Sequence, residues 1–225
     1  MAGQKAILLR ATLQRGPGEF LRQGWRSLRD TFWSQRHFLY RFLYRITAEE
    51  VLAQPDANSS GGVVFRAIRD WSELSPATRT RLEGASFGWG RREWLDEGWG
   101  MWVGEREGAL ACVGWWRTPA QSDYFVPLAA DEELLWQTAV PPEFRGQRIL
   151  DAALLSLMQE RARNGVRAFH GSCRDCNTTS RRMFARMGWT WLGFAEIGKR
   201  GPAAGRAVWH PASRPIPARA MEGST

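Results

Sequence analysis

The sequence predicts an α/β domain over residues 63–210, preceded by a basic helical arm. From Val63 onward, short apolar runs of strand character alternate with stretches whose apolar residues recur every three or four positions. Residues 54–62 (Gln-Pro-Asp-Ala-Asn-Ser-Ser-Gly-Gly) are a linker by composition and divide the chain. Charge is divided with it: residues 1–47 hold nine basic residues against Glu19 and Asp30, a net +7 out of the chain's +8.

In the arm, residues 1–53, a break at Gly16-Pro-Gly18 is followed by Trp25, Leu28, Phe32, Leu39, Leu43 and Ile46 at helical spacings, with arginines over much of the remainder. Val63–Ile68 reads as a strand. Ser75-Pro76 supplies an N-cap and a first helical residue for a short helix. Trp89, Trp94 and Trp99, set among glycines and charges, suggest a short helix with loops. Met101–Glu105 and Ala109–Arg117 form a hairpin about Glu107-Gly108. Glu133–Val140 is a strand. Ile149–Asn164 is a helix with Leu150, Leu154, Leu157 and Met158 on one face, ending at Gly165. A strand at Val166–Cys173, a helix at Thr178–Met187 and strands at Gly188–Ile197 and Ala207–His210 complete the domain. Residues 211–225 carry three prolines and read as a disordered tail.

The length, 225 residues, suits one good-sized domain with extensions. No apolar run reaches the roughly 18 residues of a membrane span, and no secretory leader pattern opens the chain. Three cysteines do not make a disulfide framework, so a reducing, cytoplasmic compartment is expected, with peripheral membrane association left open by the arm. Cys173-Arg-Asp-Cys176 has redox or half-zinc spacing, but His37, His170 and His210 offer no second pair at ligand spacing, and no metal is expected.

Two blocks carry the chemistry. In the first, an apolar strand runs through Val140-Pro-Pro-Glu-Phe-Arg-Gly-Gln-Arg-Ile-Leu150 directly into a helix. Free N–H groups at that helix start, flanked by Arg145 and Arg148, form an anion site suited to phosphate or pyrophosphate. The second block is Asn177-Thr-Thr-Ser180-Arg-Arg-Met-Phe184-Ala-Arg-Met-Gly188-Trp189. Val140, Pro142, Phe144, Arg145 and Gly146, followed by Asn177, Ser180, Phe184, Gly188 and Trp189, resemble the paired motifs of the GNAT superfamily of acyl-CoA-dependent N-acyltransferases. The resemblance implies a GNAT fold: a mixed, mostly antiparallel sheet whose two middle strands splay apart, flanked by helices. It also implies transfer of an acetyl or longer acyl group from acyl-CoA to a small-molecule or peptide amine.

By the same resemblance, Val140, Arg145, Gly146, Gln147, Arg148, Ile149, Leu150, Asn177, Ser180 and Phe184 bind the donor. Arg148 and Leu150 stand where the family has small residues, implying a less open loop or one with an ordinary helical backbone. Phe184 replaces a frequent Tyr that protonates the departing thiolate, a role that passes to another group, to water, or to none. The proton of the attacking amine needs a base. Glu132 and Glu133 open the strand on the side where the resemblance expects the acceptor. Glu133, the first choice, and His170, on the strand beside the gap, are the candidates, and a solvated carboxylate and a structural histidine are the plain alternatives. Asn177 contacts the donor arm or orders a water, caps the helix, or does both. Trp89, Trp94, Trp99, Trp102, Trp115 and Trp116, among thirteen tryptophans, fall where the family lines its acceptor pocket and suggest a large apolar or aromatic acceptor or a long acyl group.

The arm has three readings: docking on an anionic membrane surface or an acyl carrier protein, packing on the domain, and binding nucleic acid, which ranks last because the aromatics lie on the apolar face. An acyl carrier protein donor, as in N-acyl amino acid synthases, and a non-catalytic acyl-CoA-binding protein are the alternatives to acyl-CoA catalysis.

Overall fold

The computed structural model describes residues 38–55, 62–84, 91–119, 125–198 and 206–213. The expectations for residues 1–37, most of the linker, Trp89 and residues 214–225 lie outside this set. The described residues form one eight-stranded sheet. Its strands are β1 (Phe38–Thr47), β2 (Val64–Ile68), β3 (Gly100–Arg106), β4 (Ala109–Arg117), β5 (Glu132–Ala139), β6 (Ala168–Arg174), β7 (Thr190–Gly198) and β8 (Ala207–Pro211). The spatial order is β2-β3-β4-β5-β6-β1-β7-β8. Only β5 and β6 run parallel; every other neighbouring pair is antiparallel.

The helices are α1 (Ala48–Leu52), α2 (Pro76–Glu83), α3 (Arg92–Asp96), α4 (Ile149–Arg163) and α5 (Thr178–Arg186). Local chemistry sets their ends. Thr47 and Glu50 close a reciprocal capping box on α1. The Ser75 hydroxyl accepts from the Thr78 N–H, and Pro76 opens α2. Gly165 follows α4 at φ +96°, a left-handed conformation that ends the helix at little steric cost. The β3–β4 hairpin turns on Glu107 and Gly108, both at positive φ, as a two-residue turn between twisted strands requires.

Two cores flank the sheet. On one face α1, α4 and α5 cover Phe42, Tyr44, Ile46, Phe169, Cys173 and Leu135. On the other, α2, α3 and the 3₁₀ turn Trp71–Glu73 cover Ile68, Met101, Val103, Val113 and Trp115. No helix among the described residues is long and apolar enough to cross a membrane.

The arm expectation fails from residue 38 onward. Phe38–Thr47 is not helix but a central strand, paired to β6 on one side and β7 on the other. The repeat Phe38-Leu-Tyr-Arg-Phe-Leu-Tyr-Arg45 explains the error. A four-residue spacing stacks residues on one face of a helix, and, being even, also keeps them on one face of a strand. Aromatic content and the burial of Phe42, Tyr44 and Ile46 decide for the strand. Residues 38–53 therefore belong to the sheet domain, and the composition break at 54–62 falls within it.

Candidate active site

The parallel pair β5–β6 is registered only from Glu132–Leu135 against Ala168–Gly171. Beyond Leu135 and Gly171 the strands part. A bulge assists the parting: Gln137 takes φ +48°, and the β4–β5 register shifts between Val113 and Trp115. The resulting cavity, about 300 Å³, is walled by Trp136, Gln137 and Thr138 of β5 and by Ser172, Cys173 and Arg174 of β6.

At the open end of β5, the first block folds as the sequence places it. Pro142–Phe144 is a 3₁₀ turn, Gly146 lies at φ +81°, and Arg148 is the N-cap of α4. Arg148 sits in the left-handed region, φ +55° and ψ +21°. The expectation of an ordinary helical backbone there is thus corrected: the turn keeps a glycine-type conformation with an arginine in it, at a cost of roughly 1–2 kcal/mol. Among the described residues no side chain caps α4. Backbone bonds to the Arg148 carbonyl begin with the N–H groups of Asp151 and Ala152, so those of Ile149 and Leu150 point out of the helix end. Arg145 is exposed, and its Nε donates to the Val140 carbonyl at 3.1 Å. Gln147 is held by Arg106 at 2.8 Å, and Glu143 pairs with Arg81 of α2. A Cβ built on Gly146 meets nothing within 4 Å, so that glycine answers to its backbone angle and not to crowding.

Asn177 caps α5, its side-chain oxygen accepting from the Ser180 N–H at 3.1 Å; both residues line the cavity. Phe184 also lines it, stacked on Tyr44 with ring centroids 4.3 Å apart and edge-on to Trp189. The far end of the Phe184 ring abuts Gly171, where a Cβ would come within 2.8 Å. Tyr44, missed by the sequence reading because β1 was assigned to the arm, contributes a phenol bonded to Arg181 and Cys173; burial raises its pKa and keeps it protonated. Burial likewise pushes the Cys173 thiol up to about 12, so the helix start does not produce a thiolate there.

The two acidic residues that open β5 face opposite sides, as strand neighbours must. Glu133 is 3% exposed and forms a bidentate ion pair with Arg161 of α4, under the helix-covered face. That engagement removes it from the base position expected of it. Glu132 faces the other way and joins His170 and Arg45. His170 Nε2 lies 3.1 Å from the Glu132 carboxylate, and Arg45 reaches the same carboxyl at 3.1 Å. Burial lowers the His170 pKa below 6.5, outweighing the upward pull of Glu132. Burial also acts to raise Glu132, but bonds from the Ala129 N–H, Arg45 and His170 prevail and hold it below its usual value. On β6, His170 is two residues from Ser172, on the same face.

The expected tryptophan pocket is corrected too. Trp102 and Trp115 are fully buried core, Trp116 is buried, and Trp94 stacks on Trp99 at 4.4 Å. Among the described residues, the tryptophans at the cavity are Trp136 and Trp189. Arg41 of β1 also lines it, lying over the Trp136 ring at 5.2 Å and donating to the Ser172 hydroxyl at 3.3 Å. Among the described residues no group of three or more His, Cys, Asp or Glu is arranged to hold a metal.

No protein-family model matches the chain, and no curated protein is similar to it in sequence. Solved structures are similar in fold. A GCN5-related N-acetyltransferase from Sphaerobacter thermophilus is 20% identical with TM-score 0.51, over 71% of this chain and 50% of that one. A GNAT-family acetyltransferase from Colwellia psychrerythraea is 18% identical with TM-score 0.49, over 69% and 54%. AAC(6')-Iy, in complex with the bisubstrate analog CoA-S-monomethyl-acetylneamine, is 16% identical with TM-score 0.43, over 56% and 89%. The first three structures matched are spanned over 50–59% of their own length. A mixed sheet parted between β5 and β6, with an uncapped helix start at the open end, gives this chain the fold of the GCN5-related N-acetyltransferases.

Proposed function

We propose that this protein is an N-acyltransferase that moves an acetyl or longer acyl group from acyl-CoA to an amine. The observation that carries the reading is the parted β5–β6 pair opening beside the start of α4. Outward N–H groups of Ile149 and Leu150, the left-handed turn at Gly146 and Arg148, and the exposed Arg145 suit a pyrophosphate. Val140 and Gln147 help to hold the turn's shape. Asn177, Ser180 and Phe184 line the gap that would take the thioester arm.

The chemistry asked of the chain is modest. The amine nitrogen attacks the thioester carbonyl, the C–N bond forms, and the C–S bond breaks. The gap holds the two reactants together and an unpaired backbone edge of β5 faces the carbonyl. The nitrogen's extra proton passes to His170 by way of Ser172 or a water, with Glu132 orienting the imidazole. His170 suits this role because its lowered pKa leaves it neutral near pH 7. The thiolate takes its proton from water, since Phe184 has none to give.

The test is binding followed by turnover. Calorimetry with CoA, acetyl-CoA and longer acyl-CoAs should show saturable binding. Arg145→Ala should weaken it by roughly 1.5–3 kcal/mol through loss of a charged phosphate contact. Gly146→Val should weaken it through the backbone, because a branched residue resists φ near +81°. No binding at millimolar CoA, or parental affinity in both variants, overturns the donor assignment.

A further inference from the structure

We infer that the acceptor is an amine that also carries an anionic group, a carboxylate or a phosphate, and that Arg41 and Arg174 recognise it. The inference rests on the N-acyltransferase reading and names the substrate class of the same cavity.

The cavity has two unlike sides. Strand partners share a face, so the registers sort its lining. Leu135, Gly171 and Cys173 look toward α4 and α5, where Leu154, Met183, Phe184 and Trp189 make an apolar wall. Arg41, Ser172, Arg174 and Trp136 look the other way. Arg41 and Arg174 are register partners across β1 and β6, which sets two guanidinium-bearing residues side by side at the mouth. Arg41 is further positioned by the Trp136 ring and the Ser172 hydroxyl.

A donor anchored by phosphates at the start of α4 enters from the helix side, because α4 packs on that face. Its acyl end then emerges on the opposite face, among Arg41, Trp136, Ser172 and Arg174. The acceptor must come from there. Among the described residues lining the cavity none is acidic, and two are arginine. A polycationic acceptor would meet like charge on this wall, whereas an amine beside a carboxylate or phosphate brings the complementary one. Guanidinium is the group best matched to a planar carboxylate or a phosphate.

The experiment uses the full chain saturated with CoA and matched pairs of probes: L-phenylalanine against L-phenylalaninamide, O-phosphoethanolamine against ethanolamine, and putrescine as a dication. The anionic member of at least one pair should bind roughly ten- to a hundredfold tighter than its uncharged-tail partner, the worth of one charge-assisted hydrogen bond. That preference should vanish in Arg41→Gln, persist in Arg41→Lys and shrink in the exposed Arg174→Gln, with CoA affinity changed less than twofold in each. Equal binding within both pairs, no binding by any probe, or tighter binding of putrescine overturns the inference. So does an Arg41→Gln variant that loses affinity for CoA but not for dephospho-CoA, since Arg41 would then serve the donor's phosphate. The parental pairs carry the test even where a β1 variant misfolds. Failure to bind CoA at all strikes the donor reading instead, so the two failures are distinguishable.

Discussion

At the scale of single residues, the two carboxylates at the start of β5 show how far sequence reading reaches. An acidic pair at the gap-forming strand was visible; which of the two lies beside His170 was not, because a one-residue shift in strand parity exchanges their surroundings. Glu133 holds Arg161 and Glu132 holds His170. Their variants should separate cleanly. Glu133→Gln should lower stability, by less than the roughly 3–5 kcal/mol of a fully buried pair because Arg161 is 30% exposed, while leaving the shape of the pH–rate profile intact. His170→Gln should lower turnover by about 10²–10⁴-fold and flatten the acid limb of the profile. In the parent, that limb should fall as pH drops through a His170 pKa below 6.5. Stability follows the same sign. Unfolded His170 binds a proton below about 6.5 and the folded protein resists it, so stability is complete above that value and declines as pH falls toward the lower folded pKa. Glu132 adds a second window: its contribution is present above 4.5 and is lost as pH falls through its depressed folded value. Urea titrations of the parent and His170→Gln across pH 4–8 check this, and parallel curves would place the proton elsewhere.

At the scale of elements, the turn into α4 shows a conformation surviving a change of residue type. Its order and charge were legible in Val140–Leu150; its backbone was not, since arginine at position 148 argues against φ > 0 and the structure adopts it anyway. The surrounding contacts hold it there: Arg145 on Val140, Gln147 on Arg106 and Glu143 on Arg81. Arg148→Gly should therefore leave the unliganded protein as stable or up to about 1 kcal/mol more stable, relieved strain being set against glycine's unfolded-state entropy. Arg148→Val should cost stability, as β-branched residues tolerate this region worst. Both should weaken CoA binding through loss of a charge, which thermal shifts with and without CoA will report. The neighbouring gap has its own constraint in Gly171. Gly171→Ala forces a Cβ against Phe184 at 2.8 Å and should lower the melting temperature and reshape the cavity.

At the scale of the whole molecule, the decisive element is β1. The alternation of strands and helices from Val64 to Arg186 was legible because local signals bound several of its elements: Ser75-Pro76 opens α2, Glu107-Gly108 turns the β3–β4 hairpin and Gly165 ends α4. β1 was not, because a strand's place in a sheet is fixed by partners distant in sequence, and its Phe-Leu-Tyr-Arg repeat satisfies both helical and strand periodicity. The consequence for truncation is a reversal of what the composition suggests. Cutting at the linker, after residue 57, removes a strand bonded to β6 and β7 together with α1, and strips Tyr40, Phe42, Leu43, Tyr44 and Ile46 from the core. Five such side chains at about 1.5–3 kcal/mol each rival the roughly 5–15 kcal/mol net stability of an ordinary domain. The two strands left behind would expose long unpaired edges. A chain beginning at residue 58 should be insoluble or lack a cooperative melt, whereas one beginning at residue 37 keeps β1 whole and should melt cooperatively and bind CoA. Adding a synthetic peptide of residues 36–55 to the refolding longer truncation should restore part of that binding, as strand addition to an open sheet allows. A soluble, CoA-competent chain starting at residue 58 would show that the sheet closes without β1, and with it would fall the placement of Arg41 at the cavity and of Tyr44 behind Phe184.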